Sequence, residues 1–189
     1  MAASAHIDTF ALDNLPARAD SPDFLFNLPE LQYPDRLNCV TEFLDRWVVS
    51  GHGDQTCVVA PSETLTYAQL DERVNRIANV LVRDLGLIPG NRVLLRAPNN
   101  PMMVAAYLAV IKAGGVVVAT MPLLRAKELS YPIAKAKIAL ALCDARLSDE
   151  MEKARVQSPD LRRLVYWGSG APDALEALMS KPDYDRFSA

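Results

Sequence analysis

An apolar run near the middle of the chain, residues 102–111, predicts a helix that is buried on most sides. No charged side chain interrupts the run, whereas a helix that faces solvent needs a polar face. Asn100 suits the N-cap of this helix and Pro101 its first turn, where no intrahelical donor is lost. Lys112 is a cation near the negative end of the helix, and Gly114 suits a left-handed exit residue. Both ends of the helix are therefore defined by the sequence.

Short apolar runs on either side of this helix predict strands. Residues 92–96 precede the helix, residues 116–119 follow it, and similar runs occupy 138–143 and 164–167. Apolar runs without alternation are typical of strands covered on both faces. Alternating strands and helices imply parallel strands joined by right-handed crossovers. We therefore expect an α/β fold, an open, mainly parallel sheet with helices on both faces.

Two further helices and a hairpin are predicted before the central stretch. Asn38 can cap the first helix, and a second begins at a capping box formed by Thr66 and Gln69. The β-rich segments 56–60 and 64–66 predict a short hairpin between these helices. The apolar stripes of the two helices are, in order, Val40, Phe43, Leu44, Trp47 and Val48, and then Leu70, Val74, Ile77 and Leu81.

Three helices are predicted in the later part of the chain. The first covers 126–137, and we expect Pro132 to kink it or to force a restart, because proline removes a donor and crowds the preceding turn. Ser148 is expected to cap the second helix. A short third helix is predicted over 173–179.

The elements divide the chain into three parts. An extended arm is expected over 1–37, because its four prolines prevent a helical or strand period from running far. An α/β subdomain is expected over 38–170. A short helix and a truncated tail complete the chain over 171–189.

Composition and charge exclude several classes of function. Half of the 189 residues are hydrophobic, which is enough for one substantial core. The net charge is -3 and no basic cluster is longer than Arg162–Arg163, so nucleic-acid binding is not expected. The longest apolar run falls short of the ~20 residues of a membrane span, and the N-terminus lacks the apolar region of a signal peptide. We expect a cytoplasmic protein that does not enter the membrane.

The residue types that usually carry catalysis or metal binding are scattered. The cysteines, Cys39, Cys57 and Cys143, are odd in number and lack metal-ligand spacing, so we interpret all three as reduced core residues. His6 lies in the N-terminal tail and His52 in a glycine-rich turn. We therefore assign no catalytic residue and no metal ligand within the chain.

The candidate ligand site lies at the carboxyl ends of the predicted strands, where open α/β sheets bind ligands. Loops 98–100 and 121–127 occupy that edge and run into helix starts. Arg125 and Lys127 bring positive charge to a helix N-terminus, which suits phosphate, although two solvated surface charges are the alternative interpretation. No glycine-rich phosphate loop occurs, since Gly114–Gly115 follows a helix and not a strand. The bare pattern would equally permit a non-catalytic, flavodoxin-like binding module.

Three segments together resemble the first conserved blocks of the adenylate-forming acyl-CoA synthetases. Their order and spacing match from about residue 38 to 167. The arm, especially Asp23–Pro34, and the loop Pro122–Arg125 are similar to those of benzoate and 2-aminobenzoate CoA ligases. The three segments are Leu65–Leu70, Asn91–Leu95 and Val110–Val118.

The resemblance implies a function in the degradation of aromatic compounds. In the implied reaction an aromatic acid attacks the α-phosphate of ATP, with Mg, to give acyl-AMP and pyrophosphate, and CoA thiolate then displaces AMP. The family's phosphate loop, adenine-binding segment, ribose-binding aspartate and catalytic lysine all follow this region, and none occurs before Ala189. We therefore expect an N-terminal piece of a longer enzyme, inactive by itself and with no tightly bound cofactor.

The resemblance carries one binding residue over to this sequence. Arg125 lies where relatives place a basic contact to the CoA nucleotide phosphate. The acid pocket is mostly built downstream, so a fatty acyl, coumaroyl or peptide-synthetase member of the family is the alternative to an aromatic acid ligase. A homodimer stays open as the assembly.

Overall fold

The computed structural model describes residues 4–34 and 36–188, which form an α/β fold with six strands and six α-helices within those ranges. The strands are β1 (Thr56–Val59), β2 (Thr64–Thr66), β3 (Arg92–Arg96), β4 (Val116–Thr120), β5 (Leu140–Asp144) and β6 (Arg163–Trp167). The helices are α1 (Phe10–Asp13), α2 (Tyr67–Asn79), α3 (Pro101–Lys112), α4 (Ala126–Lys135), α5 (Ser148–Val156) and α6 (Leu175–Met179).

Four parallel strands form the main sheet in the order β4-β3-β5-β6, and helices cover both faces. On one face Val93 and Leu95 of β3 pack with α2, α3 and α6. On the other face Leu94 packs with α4 and α5. Successive side chains of β3 thus enter opposite cores, as the pleat of a strand requires. The predicted fold class is confirmed.

The local signals for helix and strand ends are also confirmed. The side chain of Asn100 accepts a hydrogen bond from the Met103 N–H at 2.8 Å, with Pro101 in the first turn of α3. Thr66 and Gln69 form the predicted reciprocal capping box. Gly114 adopts a φ of 78° after α3. Strands β1 and β2 pair antiparallel as the predicted hairpin.

Burial of the central stretch is less complete than the sequence suggested. Val104 and Tyr107 of α3 are 38% and 42% exposed, so the prediction of a helix buried on most sides is only half right. The expectation that β4 is covered on both faces is only partly right: Val117 and Val118 pack against the two cores, but the strand is half-buried at the edge of the sheet and Ala119 is exposed. An apolar sequence shows that a segment can be buried, but it does not show which other elements of the fold cover it.

The first predicted helix takes a wider form. Thr41–Asp45 and Val48–His52 are π-helical, and the side chain of Asn38 accepts from the N–H groups of the first turn as expected. The i→i+5 pairing of a π-helix rotates successive side chains off an α-helical stripe. Val40 and Leu44 are therefore buried, whereas Phe43 is 52% and Trp47 is 40% exposed.

The structure corrects three local predictions. Helix α4 continues through Pro132, so the restart that was one of the two expected outcomes does not occur, although Pro132 has no N–H to donate to the Glu128 carbonyl. Ser148 lies inside α5, since Asp144 caps a 3-10 turn that leads directly into that helix. Cys39 is exposed and is not a core residue, whereas Cys143 is buried and the half-buried Cys57 packs against the core.

The two ends of the described chain both dock on the subdomain. In the N-terminal part, which holds α1 and 3-10 turns at Arg18–Asp20 and Pro29–Leu31, Asp8 pairs with Arg92 at the start of β3. At the other end, the Asn79 side chain donates to the backbone carbonyls of Tyr184 and Arg186. None of the helices within 4–34 and 36–188 combines the length and hydropathy needed to span a bilayer.

Candidate ligand site at the carboxyl edge of the sheet

The strand order reverses between β3 and β5, and the candidate site lies at their carboxyl ends. Helix α3 connects β3 to β4 on one side, and α4 crosses back to β5 on the other. Loops that leave such a reversal in opposite directions create the crevice where open α/β sheets bind ligands. The side chains that meet here are Asn100 from the β3–α3 loop and Asp144 at the end of β5.

Asp144 is the fixed charge of this crevice. Its carboxylate is 5% exposed and accepts hydrogen bonds from Arg146 Nε at 2.9 Å and from Asn100 Nδ2 at 3.1 Å. The hydrogen bonds from Arg146 outweigh the effect of burial and, with the Asn100 bond, lower the pKa of Asp144. Sequence reasoning missed this aspartate, because a single carboxylate after an apolar strand carries no spacing signal.

Arg96, the last residue of β3, holds the second of the two predicted ligand loops, 121–127. Its guanidinium is fully buried and donates to the carbonyls of Met121 at 3.1 Å, Pro122 at 2.9 Å and Leu124 at 2.7 Å. Sequence reasoning treated Arg96 as part of the scaffold. The signal that could have found it is a strongly basic residue at the end of an apolar strand that faces two cores.

Arg125 immediately follows this loop and is the residue before α4. Its guanidinium is exposed, and within the described residues it forms no ion pair. Its N–H donates to Glu128 Oε2 and the Ala126 N–H donates to Glu150 Oε2, both at 2.8 Å. The helix N-terminus that was expected to favour phosphate is thus already occupied by carboxylates. Lys127 is exposed as well, so cationic side chains, and not the helix amides, are what a phosphate could meet here.

Comparison with known proteins identifies the family of this chain. The family described as AMP-binding enzyme matches residues 45–185, well over half of the chain. The chain belongs to the AMP-binding enzyme family. This membership decides against a flavodoxin-like regulator, the other class that the strand and helix pattern had left open.

The relatives of this chain include ligases for aromatic acids. Benzoate–CoA ligase of Thauera aromatica is 28% identical over 152 residues, which cover 80% of this chain and 29% of the relative. A 3-hydroxybenzoate–CoA/4-hydroxybenzoate–CoA ligase of Thauera aromatica is 30% identical, with coverage of 76% and 27%. The crystal structure of a benzoate CoA ligase from Burkholderia xenovorans LB400 aligns with a TM-score of 0.65 at 25% identity, with coverage of 74% and 27%. The chain spans less than a third of these proteins.

A second polar cluster of this chain lies away from the crevice. Lys112, at the end of α3, has a side chain that is only 1% exposed. Its Nζ donates to Asp45 Oδ1 at 2.7 Å, Asp71 Oδ1 at 3.1 Å and Asn75 Oδ1 at 2.5 Å. Burial raises the pKa of Asp71 against the opposing effect of Lys112. The sequence suggested only a cation at a helix end, whereas the structure makes Lys112 the tie between α2, α3 and the π-helical segment.

Proposed function

We propose that this chain is the N-terminal subdomain of an ATP-dependent ligase that converts an aromatic carboxylic acid, benzoate or 2-aminobenzoate, into its CoA thioester. In this proposal the acid attacks the α-phosphate of ATP, held with Mg²⁺, to form acyl-AMP and release pyrophosphate. CoA thiolate then attacks the acyl carbon and displaces AMP. The similarity to two aromatic acid CoA ligases over more than three quarters of the chain supports this assignment.

Within that reaction, the contribution of this chain is to binding. Arg125 is exposed, has no carboxylate partner within the described residues and lies at the carboxyl edge of the sheet. A guanidinium in such a position can make charge-assisted hydrogen bonds to a phosphate group. We assign it to a phosphate of the CoA nucleotide. The observation that connects the geometry with the function is an arginine without an ion-pair partner among the described residues, on a loop whose backbone is held by Arg96.

The chemistry of adenylation is assigned to groups outside this chain. Stabilising the charge that develops on the α-phosphate requires positioned donors and cations around the triphosphate. Asp144 and Arg146 neutralise each other and offer no free charge for that task. We therefore expect pure 1–189 protein to catalyse no benzoate-dependent exchange of pyrophosphate into ATP. Measurable exchange by this chain would contradict the assignment.

The substrate class is tested on the longer ligase that carries this chain. Thioester formation is measured with benzoate, 2-aminobenzoate, hydroxybenzoates and a series of fatty acids at saturating ATP and CoA. The proposal expects the highest kcat/KM with an aromatic acid. A preference for fatty acids would transfer the chain to another branch of the same family.

The role of Arg125 is tested by separating the two half-reactions. Arg125→Ala should remove a contact worth about 1.5–3 kcal/mol, which is roughly a 10- to 150-fold rise in the apparent KM for CoA. Pyrophosphate exchange, measured without CoA, should stay unchanged. Lys135→Ala, which changes an exposed cation at the opposite end of α4, is the control. An unchanged CoA dependence, or equal losses in both half-reactions, would show that Arg125 is an ordinary surface residue.

A further inference from the structure

Arg96 is a buried cation without an anion. Its side chain is 1% exposed, and within the described residues no carboxylate lies within ion-pair distance of it. Its Nε is also buried without a hydrogen-bond partner. Arg92, four residues earlier on the same strand, is nearly as buried but pairs with Asp8. Both arginines therefore lie on β3, but within the described residues only the charge of Arg92 is paired with a carboxylate.

An uncompensated buried charge works against stability. Removing a guanidinium from water is costly unless paired charges and hydrogen bonds offset the loss. An apolar side chain at the last position of β3 would extend the core to which Leu94, on the same face of the strand, already contributes. The presence of Arg96 at the end of β3 is therefore better explained by the loop that its guanidinium holds than by a contribution to folding stability.

Among the residues that the structure describes, the guanidinium forms hydrogen bonds with one loop only. All three of its hydrogen bonds go to backbone carbonyls between Met121 and Leu124. Two side chains of this loop give it little anchorage, since Met121 is 62% and Leu123 is 83% exposed, whereas Leu124 packs against the core. The next residue is Arg125, whose N–H and whose neighbour's N–H are fixed by Glu128 and Glu150. The backbone that carries Arg125 is thus held from both sides.

We propose that Arg96 is a positioning residue that fixes the loop 121–125 and so presents the Arg125 side chain to a phosphate of the CoA nucleotide. The inference rests on the proposed function of Arg125 and adds the residue that orients it. Arg96 itself touches no substrate in this scheme. Because a flexible loop would lose conformational freedom on binding, a loop ordered in advance binds CoA more tightly.

The first experiment reads the loop directly, in the longer ligase that carries this chain. Hydrogen exchange followed by mass spectrometry is measured on peptides that cover 121–126 in Arg96→Met, Arg96→Lys and the matched control Arg92→Met. Arg96→Met should speed exchange in this loop about tenfold or more, which corresponds to the loss of hydrogen bonds from a charged donor. Arg96→Lys should restore part of the protection. Loop exchange in Arg96→Met no faster than in Arg92→Met would overturn the proposal.

The second experiment measures the effect of the Arg96 substitution on the apparent KM for CoA. Arg96→Met should raise the apparent KM for CoA about tenfold, with pyrophosphate exchange unchanged, and should add nothing when combined with Arg125→Ala. Equal losses in both half-reactions, or an effect that adds to that of Arg125→Ala, would contradict positioning. If Arg125→Ala alone leaves the apparent KM for CoA unchanged, the proposed role of Arg125 in CoA binding is wrong. If Arg125→Ala weakens CoA binding but Arg96→Met does not, only the positioning role fails.

Discussion

Asn100 Nδ2 donates a hydrogen bond of 3.1 Å to Asp144 Oδ2 and joins the carboxyl ends of β3 and β5. The same Asn100 side chain caps α3 through its Oδ1, so one amide both starts a helix and closes the crevice at the reversal of strand order. Its partner Asp144 in turn caps the 3-10 turn that leads into α5. Two helix starts are therefore fixed to each other by a single pair of side chains.

Asp144→Asn should destabilise the protein in a pH-dependent way. At pH 7 the loss of a charged acceptor for Arg146 and Asn100 should cost about 1.5–3 kcal/mol. Because folding lowers the pKa of Asp144 below its ordinary value of 3.8, its stabilisation is present above that pH and is lost as the pH falls through the folded pKa. Urea unfolding from pH 7 to pH 3 should show the difference between the two proteins shrinking below about pH 4. Asp160→Asn, at an exposed pair with Lys137, is the control.

Lys112→Met should be among the most destabilising single substitutions outside the apolar core. It removes the only cation in contact with Asp45 and Asp71 within the described residues and leaves two partly buried carboxylates facing each other. Breaking a buried ion pair in this way costs about 3–5 kcal/mol. Chemical denaturation at pH 7 measures the loss, with exposed Lys127→Met as the control. A cost below about 1 kcal/mol, which is typical of surface pairs, would contradict the structural role.

Gly90→Ala should release the N-terminal segment from the subdomain. Gly90 has a φ of 94°, and a Cβ there would lie 2.0 Å from the carbonyl oxygen of Asp8. Gly86, with a φ of 71° and open space around it, provides a control with similar backbone strain and no clash. Both variants should lose about 1 kcal/mol from strain.

The difference between the two glycine variants lies in the amides of the arm. The N–H groups of Ile7 and Asp8 both donate to the Pro89 carbonyl. Hydrogen exchange at these two amides should accelerate in Gly90→Ala and stay near wild type in Gly86→Ala. Equal protection in both variants would mean that the segment shifts without detaching.

The cysteines should separate by reactivity with a thiol reagent. Cys39 is exposed and should react within the mixing time of a native-state assay, whereas Cys143 is buried and its pKa is raised by burial to about 12. Cys57 is half-buried, with its pKa also raised by burial, and should react slowly. Mass spectrometry after short labelling should therefore find one modified cysteine, and three after denaturation. Cys39→Ser should abolish the rapid phase.

Local features of the fold followed from the sequence because their causes are local. The capping box at Thr66 and Gln69 and the Asn100–Pro101 start of α3 depend on atoms within one helical turn. The left-handed exit at Gly114 depends on one residue. Where a local rule failed, the competing cause lay elsewhere in the fold. Helix α4 continues past Pro132, and Leu129 and Ile133 on either side of it are buried in the core.

Some residues of the candidate site could likewise be located from the sequence, and others could not. Arg125 and the two loops could be located from the sequence, because ligand sites in parallel sheets follow from strand direction. That Arg96 holds one of these loops could not, since its partners lie 25 to 28 residues further along the chain. The sequence also did not show that Glu150 occupies the start of α4, because this contact joins two different helices.

By itself the sequence determined the parallel α/β order, most of the helix caps and the kinship with acyl-CoA synthetases, since these depend on patterns within short segments. The tertiary structure alone decided which buried charges are compensated. Within the part of the chain that the structure describes, Lys112 has two carboxylates, Arg92 has one and Arg96 has none, although all three stand in apolar segments. The physical reason is that a charge is compensated by whatever the fold brings within about 4 Å of it, and that distance is set by packing between segments that are far apart in the chain.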